Sequence, residues 1–280
     1  MNISDIKKIG MLGAGVMAPQ IAYLFLRHGF QVALWDPYVF RTALDYINKR
    51  VKVDLHKKRL TSEEGDAILN GFHASDKTEI VSNANFVVEA IIENENIKNE
   101  VLMMLDKIIP GTTVVASNTS SLSINTLSGF ISNPSRFIGM HFFNPVDIMK
   151  LVEIIPGSNT SQETINLVEE LTTKLEKSSV RVKDSPGFIV NRLIIPMINE
   201  AANLLEKGIA SAEDIDNAMK LGTNMPLGPL SLGDLIGLDV CLAIMESLSK
   251  DGNHKISNLL KKLVGERRLG RKTKRGFFEY

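Results

Sequence analysis

The chain has a single cysteine, Cys241, so no internal disulfide can form and no network of cystines can stand in for a hydrophobic core. Cys241 lies in the apolar stretch 235–245, where a buried, inert thiol is expected. Neither sign of charge is in excess. With 32 Lys and Arg against 32 Asp and Glu, no overall field draws the protein to nucleic acid or to an anionic membrane. A polyanionic ligand must therefore be held by a local patch. Long apolar runs are missing as well: the most apolar one, 188–198, is interrupted by Asn191, Arg192 and Pro196 and falls short of a membrane span. The opening residues, Met1 to Asp5, lack a basic segment followed by an apolar one. The expectation is an untargeted, cytoplasmic protein with neither nucleic acid nor membrane among its partners.

What is present is the balance of a globular protein: 280 residues, 44% hydrophobic and 23% charged, enough for one large domain or two modest ones. From residue 6 to about 183 short apolar runs alternate with longer amphipathic ones, the pattern of a parallel sheet with crossover helices. Strands are predicted at 8–12, 31–35, 86–91, 113–116, 137–140, 151–154 and 180–182. Between the second and third lies a polar insertion, 42–70, with Leu44, Ile47, Val51 and Leu55 at helical spacing, which reads as a helical arm projecting from the sheet. After Asp184-Ser185-Pro186-Gly187 the strand signals stop, and helices are predicted at 188–206, 212–221, 230–249 and 256–266. The expected architecture is a doubly wound α/β domain over 1–184 followed by a small all-helical domain over 185–280.

The first strand runs into Gly13-Ala14-Gly15-Val16-Met17-Ala18, which opens an amphipathic helix ending at Gly29. This is a G-x-G-x-x-G/A fingerprint in its strand–turn–helix context, and it predicts a Rossmann-type fold. Gly13 permits the tight turn, Gly15 leaves room for a pyrophosphate, and Ala18 lets the helix lie close to the sheet. The phosphates, flanked by Val16 and Met17, would meet the unpaired N–H groups of the helix N-terminus. A plain strand-to-helix turn would also fit the glycines. Asp36 favours the nucleotide reading, because it closes the second strand about 20 residues on, where a carboxylate accepts ribose hydroxyls and repels a 2′-phosphate. The expected cofactor is NAD rather than NADP.

Hydride transfer from an alcohol carbon to nicotinamide needs a base for the hydroxyl proton and donors for the oxygen as its charge grows. Of the five histidines, His28 sits at a helix C-terminus, His56 in the basic arm, and His73 and His254 in polar loops. His141 differs: it follows the apolar run 137–140 and precedes Phe142-Phe143-Asn144-Pro145, at the carboxyl edge of the sheet where ligands bind. A structural histidine would fit that position equally well.

Four ordered segments carry a resemblance. They are Ser117-Asn118-Thr119-Ser120-Ser121-Leu122, Gly139-Met140-His141-Phe142-Phe143-Asn144-Pro145, Met149-Lys150-Leu151-Val152-Glu153, and Pro186-Gly187-Phe188-Ile189-Val190-Asn191-Arg192. With Val88-Glu89-Ala90, Glu93-Asn94, Pro226-Leu227-Gly228-Pro229, the stretch 234–239 and Gly270-Arg271-Lys272-Thr273, nearly the whole chain resembles the L-3-hydroxyacyl-CoA dehydrogenase family, and within it the stand-alone 3-hydroxybutyryl-CoA dehydrogenases.

The resemblance implies an NAD-dependent oxidoreductase that interconverts L-3-hydroxyacyl-CoA and 3-ketoacyl-CoA. His141 would be its general base and acid, Glu153 the carboxylate orienting the imidazole, and Ser120 and Asn191 hydrogen-bonding partners of the substrate oxygen and the nicotinamide region. A charge in the apolar strand Leu-Val-Glu-Ile-Ile needs a partner in any case. Serine after a strand is often a helix cap, and Ser120, Ser121 and Ser123 compete for that role.

The resemblance also implies Glu93, Lys98, Asn144 and Lys272 against the cofactor, and a homodimer formed through the helical domain. Lys98 could instead pair with a helix-face carboxylate such as Glu95. For the acyl-CoA substrate the basic arm, with Lys49, Arg50, Lys52, Lys57, Lys58 and Arg59, offers phosphate contacts or simply a solvated face. Here the family's third glycine is Ala18, followed by Pro19, which the first helical turn tolerates. Lys274 and Phe278 depart from the family's usual glycine and tyrosine. Two alternatives share the scaffold: a sugar-acid dehydrogenase of the L-gulonate 3-dehydrogenase type, and a non-catalytic NAD- or CoA-binding protein.

Overall fold

The computed structural model describes residues 1–252 and 254–280, which divide into two compact units, Met1–Asp184 and Ser185–Tyr280. In the first unit the apolar runs become β1 (Lys8–Leu12), β2 (Gln31–Trp35), β4 (Phe86–Glu89), β5 (Val114–Ser117), β6 (Phe137–Phe142), β7 (Leu151–Pro156) and β8 (Ser178–Arg181). One strand was not legible, β3 (Phe72–Ser75). Among the described residues these form one sheet in the order β3-β2-β1-β4-β5-β6-β7-β8, parallel throughout except for the antiparallel β6–β7 pair. β4, β5 and β6 are buried along their whole length, as befits strands covered by helices on both faces.

β3 escaped because only Phe72 of its four residues is buried, so neither alternation nor an apolar run marks it; its register with β2 makes it a strand. His73 therefore stands on an edge strand rather than in a loop. The crossover helices of this unit are α1 (Ala18–Arg27), α2 (Phe40–His56), α3 (Ser62–Gly71), α4 (Glu95–Asp106), α5 (Ile124–Ser128) and α6 (Gln162–Lys174).

The polar insertion is the pair α2 and α3. It does not project freely: Ala43, Ile47, Val51 and Ile68 join the main core beside Tyr23 and Leu26 of α1. Asp54 of α2, fully buried, accepts a 2.7 Å hydrogen bond from the Tyr23 hydroxyl and lies 3.5–3.7 Å from Arg27, Arg50 and Arg59. A buried carboxylate survives only with such partners, and their convergence ties the arm to α1.

The second unit consists of α7 (Val190–Glu206), α8 (Ala212–Thr223), α9 (Pro229–Ile236), α10 (Leu238–Leu248) and α11 (Asn258–Gly265). The single helix expected over 230–249 is broken at Gly237, whose φ of 105° lies outside the helical range and suits glycine. The N-cap of α9, Gly228, has no side chain, and Asp216 of α8 replaces it by accepting from Leu230 N and Ser231 N at 2.8 and 2.9 Å. Asp234 of α9, 1% exposed, anchors the C-terminal tail through Phe277 N, Phe278 N and the Tyr280 hydroxyl; burial pushes its carboxyl above the usual range in spite of these donors. Cys241 is buried, and its thiol is pushed up to about 12, mainly by that burial.

Candidate active site

The carboxyl ends of the parallel strands β2, β1, β4, β5 and β6 share one edge of the sheet, and the residues singled out in the first unit gather there. After β1 the chain turns at Gly13 with φ 100°, its N–H donating to Trp35 O at 2.8 Å. A Cβ at Gly13 would stand 2.7 Å from the Ala90 carbonyl oxygen, which no other side chain tolerates. Gly15 is the opposite case, since a Cβ there meets nothing within 4 Å and the turn faces open space. Val16 is exposed, and α1 starts at Ala18 after Met17 with no side chain capping its first N–H groups. Room beside Gly15 and uncapped donors are what a pyrophosphate requires, so the residues present fit a bound dinucleotide.

Asp36 follows β2 directly. Its Oδ1 accepts from Tyr38 N and Val39 N at 2.9 and 2.7 Å, and its Oδ2 accepts from Ala14 N at 2.9 Å, so the carboxylate fastens its own turn to the phosphate turn. Both lone pairs of Oδ1 are thereby used, and Oδ2 keeps one for a ribose hydroxyl. Replacing Asp36 by Ser is expected to weaken NADH binding about 10- to 100-fold, the range of a charge-assisted hydrogen bond, while narrowing the preference over NADPH. Fluorescence titration with both nucleotides measures this, and unchanged NADH affinity would refute it.

A charged cluster underlies the loop after β5. Glu89, at the end of β4 and wholly buried, receives the Lys98 ammonium at 2.5 Å, the Ser117 hydroxyl at 2.5 Å and Ile91 N at 2.9 Å. Lys98 also lies 3.4 Å from Glu93. Its partners are thus Glu89 and Glu93, across the strand end, rather than Glu95 on its own helix. Glu93 Oε1 in turn collects Thr119 Oγ1, Ser120 N, Ser120 Oγ, Ser121 N and Ser121 Oγ at 2.6–3.2 Å. Burial raises the Glu93 pKa, but Lys98 and these donors outweigh it and hold the carboxyl below its ordinary value. The competition among the serines is resolved: Ser123 caps α5 by accepting from Thr126 N, and Ser120 belongs to the Glu93 network.

His141 and Glu153 are direct partners in the antiparallel β6–β7 register, with Nδ1 and Oε2 2.8 Å apart. His141 is 5% exposed and Glu153 fully buried. With Nδ1–H donated to the carboxylate, the ring tautomer is fixed and Nε2 becomes the nitrogen that gains or loses a proton. The ring of Phe143 packs against the imidazole at 4.5 Å, and Asn118 Oδ1 accepts from Phe142 N at 2.8 Å, fixing the end of β6. Asn144 follows, its Oδ1 held by Gln20 Nε2 at 3.0 Å.

The remaining residues belong to other elements. Asn191 occupies the first turn of α7, and Lys272 pairs with Asp239 at 2.5 Å, both within the second unit. Lys49, Lys52 and Lys57 are exposed on the arm, whereas Arg50 and Arg59 of the same basic run reach Asp54 at 3.6 and 3.5 Å, Arg50 half-buried and Arg59 with much of its side chain still exposed. Sequence reasoning had no role for Glu89, Ser117 or Gln20. Glu89 was discoverable, as a charge closing the apolar strand Phe-Val-Val-Glu. Among the described residues no three His, Cys, Asp or Glu side chains gather to hold a metal.

Comparison with known proteins gives a consistent picture. Residues 8–185 match the family model for the 3-hydroxyacyl-CoA dehydrogenase NAD binding domain, and residues 187–280 the model for the corresponding C-terminal domain. A 3-hydroxybutyryl-CoA dehydrogenase of Clostridioides difficile is 42% identical, over 98% of this chain and 99% of that protein. The human mitochondrial hydroxyacyl-coenzyme A dehydrogenase is 39% identical, over 98% of this chain and 91% of that protein. The crystal structure of an (S)-3-hydroxybutyryl-CoA dehydrogenase from Ralstonia eutropha superposes with a TM-score of 0.93 at 40% identity, covering 98% of this chain and 99% of that one.

Proposed function

Because the chain belongs to the 3-hydroxyacyl-CoA dehydrogenase family and is an NAD-dependent oxidoreductase of that kind, we propose that its substrate is a short-chain L-3-hydroxyacyl-CoA, 3-hydroxybutyryl-CoA in particular. The names of the relatives similar over their full length support that chain length. The observation that carries the catalytic reading is the buried His141–Glu153 pair at the carboxyl edge of the sheet.

In the oxidative direction His141 Nε2 takes the hydroxyl proton, and Glu153 stabilises the imidazolium that results. In reduction the same nitrogen returns the proton. Bound NAD supplies the hydride acceptor. As the resemblance implies, Ser120 and Asn191 are the hydrogen-bonding partners of the substrate oxygen and the nicotinamide region, Ser120 by turning its one hydroxyl proton from Glu93 to the oxygen as that moves between carbonyl and alkoxide character. Gly13, Gly15, Val16, Met17, Asp36, Glu93, Lys98, Asn144 and Lys272 form the cofactor side, with Lys98 acting through Glu93. Lys49, Lys52 and Lys57 meet the phosphates of coenzyme A, a reading supported by their exposure on one arm.

On the same reading 1–184 is the NAD-binding domain, and 185–280 serves substrate binding and dimerisation. The exposed apolar side chains Leu193, Ile209 and Leu221 support a homodimer, which sedimentation showing only monomers would refute. A cytoplasmic location is part of the proposal. Among the described residues no helix is long and apolar enough to cross a membrane.

The deciding assay follows NADH oxidation with acetoacetyl-CoA, longer 3-ketoacyl-CoA thioesters and NADPH in parallel, beside NAD reduction with L-gulonate. Preference for acetoacetyl-CoA with NADH is expected. Faster turnover of a long-chain thioester would overturn the chain-length reading, and activity confined to L-gulonate would overturn the thioester.

A further inference from the structure

We propose that Gln20 is a positioning residue for the cofactor side of the site and acts through Asn144; the inference rests on the reading of Asn144 as a cofactor-facing residue. Gln20 is half-buried in the first turn of α1. Its carboxamide is used at both ends: Nε2 donates to Val16 O at 2.9 Å and to Asn144 Oδ1 at 3.0 Å, and Oε1 accepts from Val146 N at 3.1 Å. One side chain thus joins the phosphate turn to the loop that follows β6, at Asn144, three residues after His141.

The consequence is chemical as well as geometric. An asparagine amide has an accepting oxygen and a donating nitrogen, and turning it over exchanges them. With Oδ1 engaged by Gln20, Asn144 presents its NH2 group away from Gln20, so the site receives a donor. Val16, 72% exposed, lies in the same turn as Gly15. A dinucleotide seated on that turn also steadies the carbonyl that holds Gln20, and through Gln20 the orientation of Asn144. Two parts of the cofactor site that are far apart in sequence are coupled through this one amide.

The test is a double-mutant cycle of Q20M and N144A, read as the NADH dissociation constant by nicotinamide fluorescence, with thermal unfolding of each apo variant alongside. Q20M, close in volume but without either hydrogen-bonding end, is expected to weaken NADH binding about five- to tenfold, as N144A does. In the N144A background Q20M should add no more than about twofold, because its effect passes through the missing amide.

Multiplying losses in the double variant would overturn the proposal, since a general loosening of the turn acts whether or not Asn144 is present. Unchanged affinity in Q20M beside weakened N144A would overturn it too, while leaving the reading of Asn144 intact. Unchanged affinity in N144A would remove that reading and the proposal with it.

Discussion

Replacing His141 with Gln is expected to lower turnover with acetoacetyl-CoA about a thousandfold and to leave the NADH dissociation constant within about twofold, since general acid–base catalysis is worth about 10²- to 10⁴-fold. Gln keeps a polar end for Glu153 but has no nitrogen that exchanges a proton near neutral pH. The split between turnover and binding follows from placement. His141 lies on β6, and the phosphate turn and Asp36 follow β1 and β2, so the dinucleotide's anchoring groups are untouched. Replacing Glu153 by Gln should cost less, because the ring keeps a neighbour of the same shape at 2.8 Å while losing the charge that stabilises the imidazolium. Stopped-flow turnover and fluorescence titration decide both. Near-normal turnover in His141→Gln would remove this residue from the mechanism.

Lys98→Met should be the most destabilising single change at the site, by about 3–5 kcal/mol, because it strands two carboxylates whose counter-charge is buried. Glu89 is wholly buried and would keep only the Ser117 hydroxyl and Ile91 N. For a unit of this size the loss corresponds to a melting temperature lower by roughly 10 °C. Adding Glu89→Gln should restore a good part of it by removing the uncompensated charge, and a double variant no more stable than Lys98→Met would contradict the account.

The pH dependence has a definite sign. Glu93 sits below its ordinary pKa in the folded chain, so its contribution is present above the unfolded value of about 4.3 and fades as the pH falls through the lower folded value. Without Lys98 that fading begins at higher pH. Acid unfolding followed by circular dichroism, parent beside variant, would reveal the shift; coincident curves would argue against Lys98 as its cause.

Features that depend on near neighbours in the chain were legible. β1 and β2 follow from four-residue apolar runs, the phosphate turn from the spacing of Gly13, Gly15 and Ala18, and α8 from the helical pattern over 212–221. β3 was hidden because its strand character comes from β2 and not from its own four residues. Arg50 and Arg59 could not be separated from the solvated lysines beside them, since only the buried Asp54 distinguishes a basic residue with an ion-pair partner from one without. The break at Gly237 was masked by an unbroken apolar pattern on either side of it.

Local patterning by itself determined the class of fold and the nucleotide turn, because turn chemistry and strand burial act within a few residues, and the ordered motifs carried the family resemblance. Only the folded chain decided which side chains meet where no motif named a partner: Lys98 with Glu89 and Glu93, Gln20 with Asn144. Such pairings are set by strand register and by the shared edge of the sheet, and ion pairing and hydrogen bonding fall off within a few ångströms in space whatever the separation along the chain.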